Sequence, residues 1–230
     1  MINTKNNSRR KFIGTMAAGA TAGLSFLSNP VKALNSEVLQ SIESPASNKA
    51  DEMIKEVGKM QHPVAFDGSQ AVHWGLIWSN VYYMTNEGTG TAPKDLGVLN
   101  VLRHHGIIFS LNDEVIKKYN LGEVFGYNDP VSSKPALRNP MYIPGEGDMP
   151  MPVLTGIKGL QEKGAKFCTC DMAYRVYSGI VANNMGLNAE DVYNDWVANK
   201  IEGVELAPSG VWALGRLAEN KIAYIDACLG

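Results

Sequence analysis

The chain has 230 residues, with 21 basic and 23 acidic side chains, a formal charge of −2 and 45% hydrophobic residues, enough for one domain with a sizeable core. All five charged residues of the first 33 are basic. Without that segment, 16 basic residues face 23 acidic ones, −7 over the remaining 197, which argues against nucleic acid or an anionic membrane as a partner.

Residues 1–33 read as an export signal. Ser8-Arg9-Arg10-Lys11-Phe12-Ile13 carries the paired arginines of the twin-arginine pattern. An uncharged run from Ile13 to Leu27 follows, and Val31-Lys32-Ala33 is a small-residue cleavage pattern. At about 15 residues, and broken by Gly14, Gly19 and Gly23, the run is too short to span a bilayer. A periplasmic or otherwise exported protein is expected, with the twin-arginine machinery as a partner and no membrane attachment after cleavage. Substrates of that pathway cross already folded.

Residues 34–62 are expected to be a linker with one weak helix over Asp51–Met60, and residues 63–230 a single α/β domain. Val72–Trp78, rich in aromatic and branched residues, reads as a strand. Asp95–His105 reads as a helix with Leu99 and Leu102 on one face, stopped by Gly106, and Ile107–Leu111 as a second strand. Asn112 or Asp113 caps a helix that runs to Tyr119. Thr155–Lys163 is a short helix, Lys166–Cys170 a third strand, and Tyr174–Met185 and Ala189–Ile201 are helices. Val204–Ala207 is a fourth strand, Gly210–Glu219 a helix, and Ile222–Ala227 a fifth strand.

This alternation predicts a three-layer α/β/α sandwich around a mostly parallel five-stranded sheet. Ligands of such sheets sit at the carboxyl ends of the strands, which makes Asn80, Asn112, Asp113, Cys170, Asp171, Ser209, Gly210 and Cys228 the candidate residues. Residues 126–152 break the rhythm: they hold six of the eleven prolines and no apolar period, as a lid or a subunit contact would. Met141, Tyr142, Ile143, Met149 and Met151 are its candidate contact residues.

Three cysteines, an odd number, argue against a simple disulfide framework. Cys168 and Cys170 lie two apart on one strand and so share a face. Cys170 falls at the strand-to-helix junction, where the helix N-terminus favours a thiolate; Arg175 adds to this and Asp171 opposes it. Cys170 is expected to react first. The alternative is that both cysteines are small buried hydrophobes. A metal site needs Cys228 or a histidine beside Cys168 and Cys170; no cofactor is expected otherwise. His104 and His105 read as complements to a helix C-terminus, His62 and His73 have no nameable partner, and Ser209-Gly210 reads first as a helix cap.

The order of elements and three segments together resemble the DsrE/DsrF-like family, with its YchN-like fold. Val101-Leu102-Arg103-His104-His105-Gly106-Ile107 followed by Phe109-Ser110-Leu111-Asn112-Asp113 looks like the family's first helix and second strand. Lys163-Gly164-Ala165-Lys166-Phe167-Cys168-Thr169-Cys170 looks like its cysteine strand, and Pro208-Ser209-Gly210-Val211 like the turn after its fourth strand. The similarity spans Val72–Ala227 and is greatest to exported members with twin-arginine signals. It implies trimers or hexamers and a strand-end cysteine, here Cys170, that carries sulfane sulfur as a persulfide between a donor and an acceptor protein. Arg175-Val176 stands where the family has Arg-Gly, and the proline-rich insertion is not general.

The expected function is therefore a thiol or persulfide carrier acting through Cys170, with Cys168 resolving or shielding it and Arg175 stabilising the thiolate. The alternatives are a non-catalytic ligand-binding or assembly module with buried cysteines, and a metal or cofactor site at Cys168, Cys170 and Cys228.

Overall fold

In the computed structural model, which describes residues 45–228 with side chains from Lys49, the central strand explains the architecture. Leu96–Leu102 (β2) is buried at every position, the mark of a parallel strand covered on both faces. Around it lie β1 (Gln61–Gly68), β3 (Lys166–Cys170), β4 (Val204–Ala207) and β5 (Ala223–Asp226). The order is β4-β3-β2-β1-β5, and every pairing is parallel.

Side chains alternate between two cores as the two-residue period requires. Val64, Phe66, Val98 and Phe167 enter the larger one. It is closed by α2 (Trp74–Gly88), a 3₁₀ helix (His104–Ser110), α3 (Asp113–Lys118), α4 (Leu121–Val124), α5 (Ile157–Glu162), α6 (Asp171–Met185) and α7 (Ala189–Ala198). Ala65, Leu99, Val101 and Cys168 enter the smaller one, closed by α1 (Pro45–Lys59) and α8 (Gly210–Gly215). The three-layer sandwich expected from the sequence is the observed fold.

Its first half is assembled differently from the expectation. The strand expected over Val72–Trp78 is the start of α2: Trp74 and Trp78, one turn apart, stack at 5.1 Å, and Leu76, Asn80 and Tyr83 turn inward. The helix expected over Asp95–His105 is β2. The strand expected over Ile107–Leu111 is the 3₁₀ helix, in which Gly106 packs against the Gly68 carbonyl so closely that a Cβ would lie 2.1 Å from its oxygen. The expected linker 34–62 holds part of the domain. Ala50, Met53, Ile54 and Val57 are buried on α1 at the i, i+3, i+4, i+7 spacing of an amphipathic helix. Helix α1 lies so close to β2 that a Cβ on Gly97 would come within 2.5 Å of the Val57 carbonyl oxygen. The export signal expected over 1–33 lies outside the described residues.

Segment 126–152 has defined structure. Asn139 donates to the Phe109 and Leu111 carbonyls. Arg138 bridges Asp129 (2.6 Å) and Asp148 (2.8 Å). Met141 is fully buried in the core and so is not a contact residue, whereas Ile143 and Met151 are exposed. The Arg138 hydrogen bond holds Asp148 below the usual carboxylate range. A depressed carboxylate stabilises the fold above its unfolded pKa of about 3.9 and loses that effect as the pH falls through the folded value. The protection factor of the Gly145 amide, which donates to Asp148, is therefore expected to hold at pH 5 and to fall below about pH 4.

Candidate functional site

Strands β3 and β4 are neighbours, yet the helices that follow them go to opposite faces. Helix α6 contributes Ala173 and Tyr174 to the larger core, and α8 contributes Ala213 to the smaller. A crevice opens where such connections diverge, and open α/β sheets place their ligands there. Cys170 stands at that point as the N-cap of α6. Its sulfur accepts the Ala173 N–H at 3.3 Å, and the backbone N–H groups of Met172 and Gly210 are also directed at it. Donors from the starts of both helices thus converge on one sulfur atom.

Burial nevertheless dominates its titration. Desolvation pushes the Cys170 thiol above its ordinary value and Asp171 adds to this, against the three backbone donors. Cys170 is 7% exposed. Beside it is Tyr177, whose ring packs edge-on against His104, His105 and Phe125 at 5.1–5.7 Å. His104 and His105 are therefore not at a helix C-terminus. They open the 3₁₀ helix just after β2, with His104 exposed and in the left-handed region at φ 50°.

The other predicted residues scatter. Cys168 faces the smaller core, fully buried, its thiol pushed up to about 12 by desolvation, and it belongs to a different cluster from Cys170. The shared strand face does not survive because Cys170 is already turning into α6. Arg175 is spent on Asp171, donating through Nε at 2.9 Å, and on the Tyr193 hydroxyl at 3.0 Å. It neutralises Asp171 and does not touch Cys170, so the thiolate-stabilising role expected of it is not seen. Ser209 caps α8 by accepting the Trp212 N–H at 3.0 Å, while Gly210 supplies its own N–H to Cys170.

Asn80 is mid-helix and grips Thr155 through both carbonyl and amide groups; it is not at a strand end. Asn112 caps α3 through the Val115 N–H, and Asp113 accepts the Asn139 N–H at 2.7 Å; both are structural. Among the described residues no three His, Cys, Asp or Glu side chains are grouped to hold a metal ion, and Cys168, Cys170 and Cys228 do not form one cluster.

The sequence reading missed a second assembly on the same edge of the sheet. Asp67, the buried end of β1, accepts Arg103 Nε at 2.7 Å and Nη2 at 2.8 Å, and the Tyr224 hydroxyl at 3.0 Å. The Arg103 stem then crosses Gly210, where a Cβ would meet that of Arg103 at 2.4 Å. Arg103 thereby links the Asp67 pair to the residue that donates to Cys170. Cys228, half-buried beside this pair, accepts the Ser69 N–H at 3.4 Å and lies 2.8 Å from the Ser69 hydroxyl. It is more exposed than Cys170, which is buried. The signal available in the sequence was Phe66-Asp67-Gly68, an acid ending an apolar strand.

A groove of about 410 Å³ lined by Tyr142, Lys158, Lys166 and Glu202 lies at the opposite, amino end of β3. Comparison with protein-family models, characterised proteins and solved structures finds no match to this chain.

Proposed function

We propose that the chain is a sulfur carrier of the DsrE/DsrF-like kind, exported by the twin-arginine pathway, with Cys170 as the exchanging thiol. The observation that supports this reading is the convergence of N–H donors from two helix starts on the Cys170 sulfur at the divergence of β3 and β4. Such donors stabilise the charge that the cysteine acquires when it loses its proton. In the exchange, the Cys170 thiolate attacks the outer sulfur of a donor persulfide. The donor's S–S bond breaks, the donor leaves as a thiolate, and Cys170 keeps the sulfur as a persulfide; an acceptor thiolate later reverses the step. Copies of the chain meet through the exposed apolar residues of the insertion, among them Val131, Leu137, Ile143 and Met151.

Intact mass after exposure to inorganic polysulfide tests the reading. A gain of about 32 Da per sulfur that peptide mapping places on Cys170 is expected, removed by reduction. A gain confined to Cys228, with the Cys170 peptide unmodified, would refute it. The burial of Cys170 favours a second reading, a ligand-binding or assembly module whose cysteines are structural. Under that reading no gain occurs at Cys170.

A further inference from the structure

Strand β5 is the least protected element of the sheet. Among the described residues it pairs with β1 alone, and all four of its residues are exposed. Tyr224 and Ile225 point to opposite faces and are 53% and 39% exposed, so no described helix covers either side of the strand. Parallel sheets are ordinarily covered on both faces. Edge strands are ordinarily blunted by shortness, by charged side chains, by a proline or by a bulge. Strand β5 is short and ends in Asp226, but Ala223-Tyr224-Ile225 carries no charge or proline, and its register with β1 is unbroken. Among the described residues no strand lies beside its outer edge. The outward N–H and C=O groups form a regular row that another strand can satisfy.

We infer that β5 pairs with the β5 of a second copy, antiparallel across a two-fold axis, so that two five-stranded sheets become one continuous sheet. Charge selects this occupant and orientation. Lys221 precedes the strand and Asp226 ends it, and both are exposed. An antiparallel pair centred near Tyr224 sets Asp226 of each copy opposite Ile222 of the other, next to Lys221, which stands in the preceding turn at φ 58°. A parallel partner would place like charge beside like. The two-fold closes on itself, so the contact stops at two copies and does not propagate into a filament. This pairing is independent of the chemistry at Cys170 and of the surface on the insertion.

Light scattering of the full chain, combined with amide exchange at β5, tests the pairing. Ile225→Lys introduces the edge charge that natural edges carry. It is expected to halve the particle mass, or to raise the dissociation constant about tenfold or more, with cooperative unfolding retained. Lys221→Glu sets like charges together across the axis and is expected to weaken the particle in low salt, with partial recovery in high salt. It also serves if Ile225→Lys fails to fold. The β5 amides are expected to be protected in the wild type and to lose protection on dilution and in either variant. A wild-type monomer, or a particle mass unchanged by both substitutions, overturns the inference. So do β5 amides protected in a monomeric particle, because another segment of the same chain then covers the edge.

Discussion

Asp67→Ala is expected to cost about 3 kcal/mol of folding stability and to lower Tm by roughly 6–12 °C. The carboxylate is fully buried and accepts three bonds, two from one guanidinium and one from Tyr224. Its removal leaves a partly buried Arg103 unpaired, the circumstance in which breaking an ion pair costs most. The lower end of the usual range applies because the Arg103 side chain is 29% exposed and water can replace part of what it loses. Asp67→Asn keeps an acceptor and is expected to cost less. A double change to Asp67→Leu and Arg103→Met, which removes both charges, is expected to recover part of the loss. Denaturant midpoints for the three variants check the ordering. If Asp67→Ala fell within about 0.5 kcal/mol of the wild type, the pair would contribute nothing beyond a surface contact.

The sequence carried the second half of the fold more clearly than the first. Strands β3 to β5 and helices α6 and α7 are bounded by caps and glycines that act locally: Asn188 caps α7 by accepting two backbone N–H groups, and Gly186 ends α6 in the left-handed region. Strand β2 lacks such a signal. A strand buried on both faces has no alternation, and Leu99 and Leu102 happen to fall at helical spacing. The aromatic run at the start of α2 has strand propensity, but tertiary packing overrides it. Helix α1 shows the converse, because its four buried residues have the right period and its polar flanks obscured them.

The same locality governs what could be read of the site. Cys170 was identifiable because the strand and helix that meet at it are adjacent in sequence. The Asp67–Tyr224 contact joins residues 157 positions apart, on strands whose adjacency only the sheet order reveals. Arg175 was misjudged for a related reason. One turn from Cys170 it is near enough to help, but Asp171 and Tyr193 compete for the same guanidinium and offer closer, charged or hydroxyl partners.

A limiting alkylating agent near pH 7 is expected to label Cys228 first, Cys170 far more slowly, and Cys168 only on unfolding. Reactivity follows the thiolate fraction and access. Cys228 is half-buried, whereas Cys168 is sealed in the smaller core with its thiol pushed up to about 12. Cys170 lies between them. Desolvation raises its pKa against the donors from Met172, Ala173 and Gly210, so its rate should climb about tenfold per pH unit until the raised value is reached. The sign for stability is the same for both buried thiols. Each is buried neutral, so its contribution is fully present below the ordinary thiol range, about 8.5, and is lost as the pH rises from there toward the folded value. Alkaline destabilisation should therefore begin near pH 9, and Cys168→Ala should reduce it. Peptide mapping with pH-dependent rates checks each step. If Cys170 were labelled ahead of Cys228 at pH 7, the backbone donors would outweigh burial and the carrier reading would gain a preformed thiolate. If Cys170 stayed unreactive at every pH until the fold was lost, no donor persulfide could reach it, and the binding module would be the function left standing.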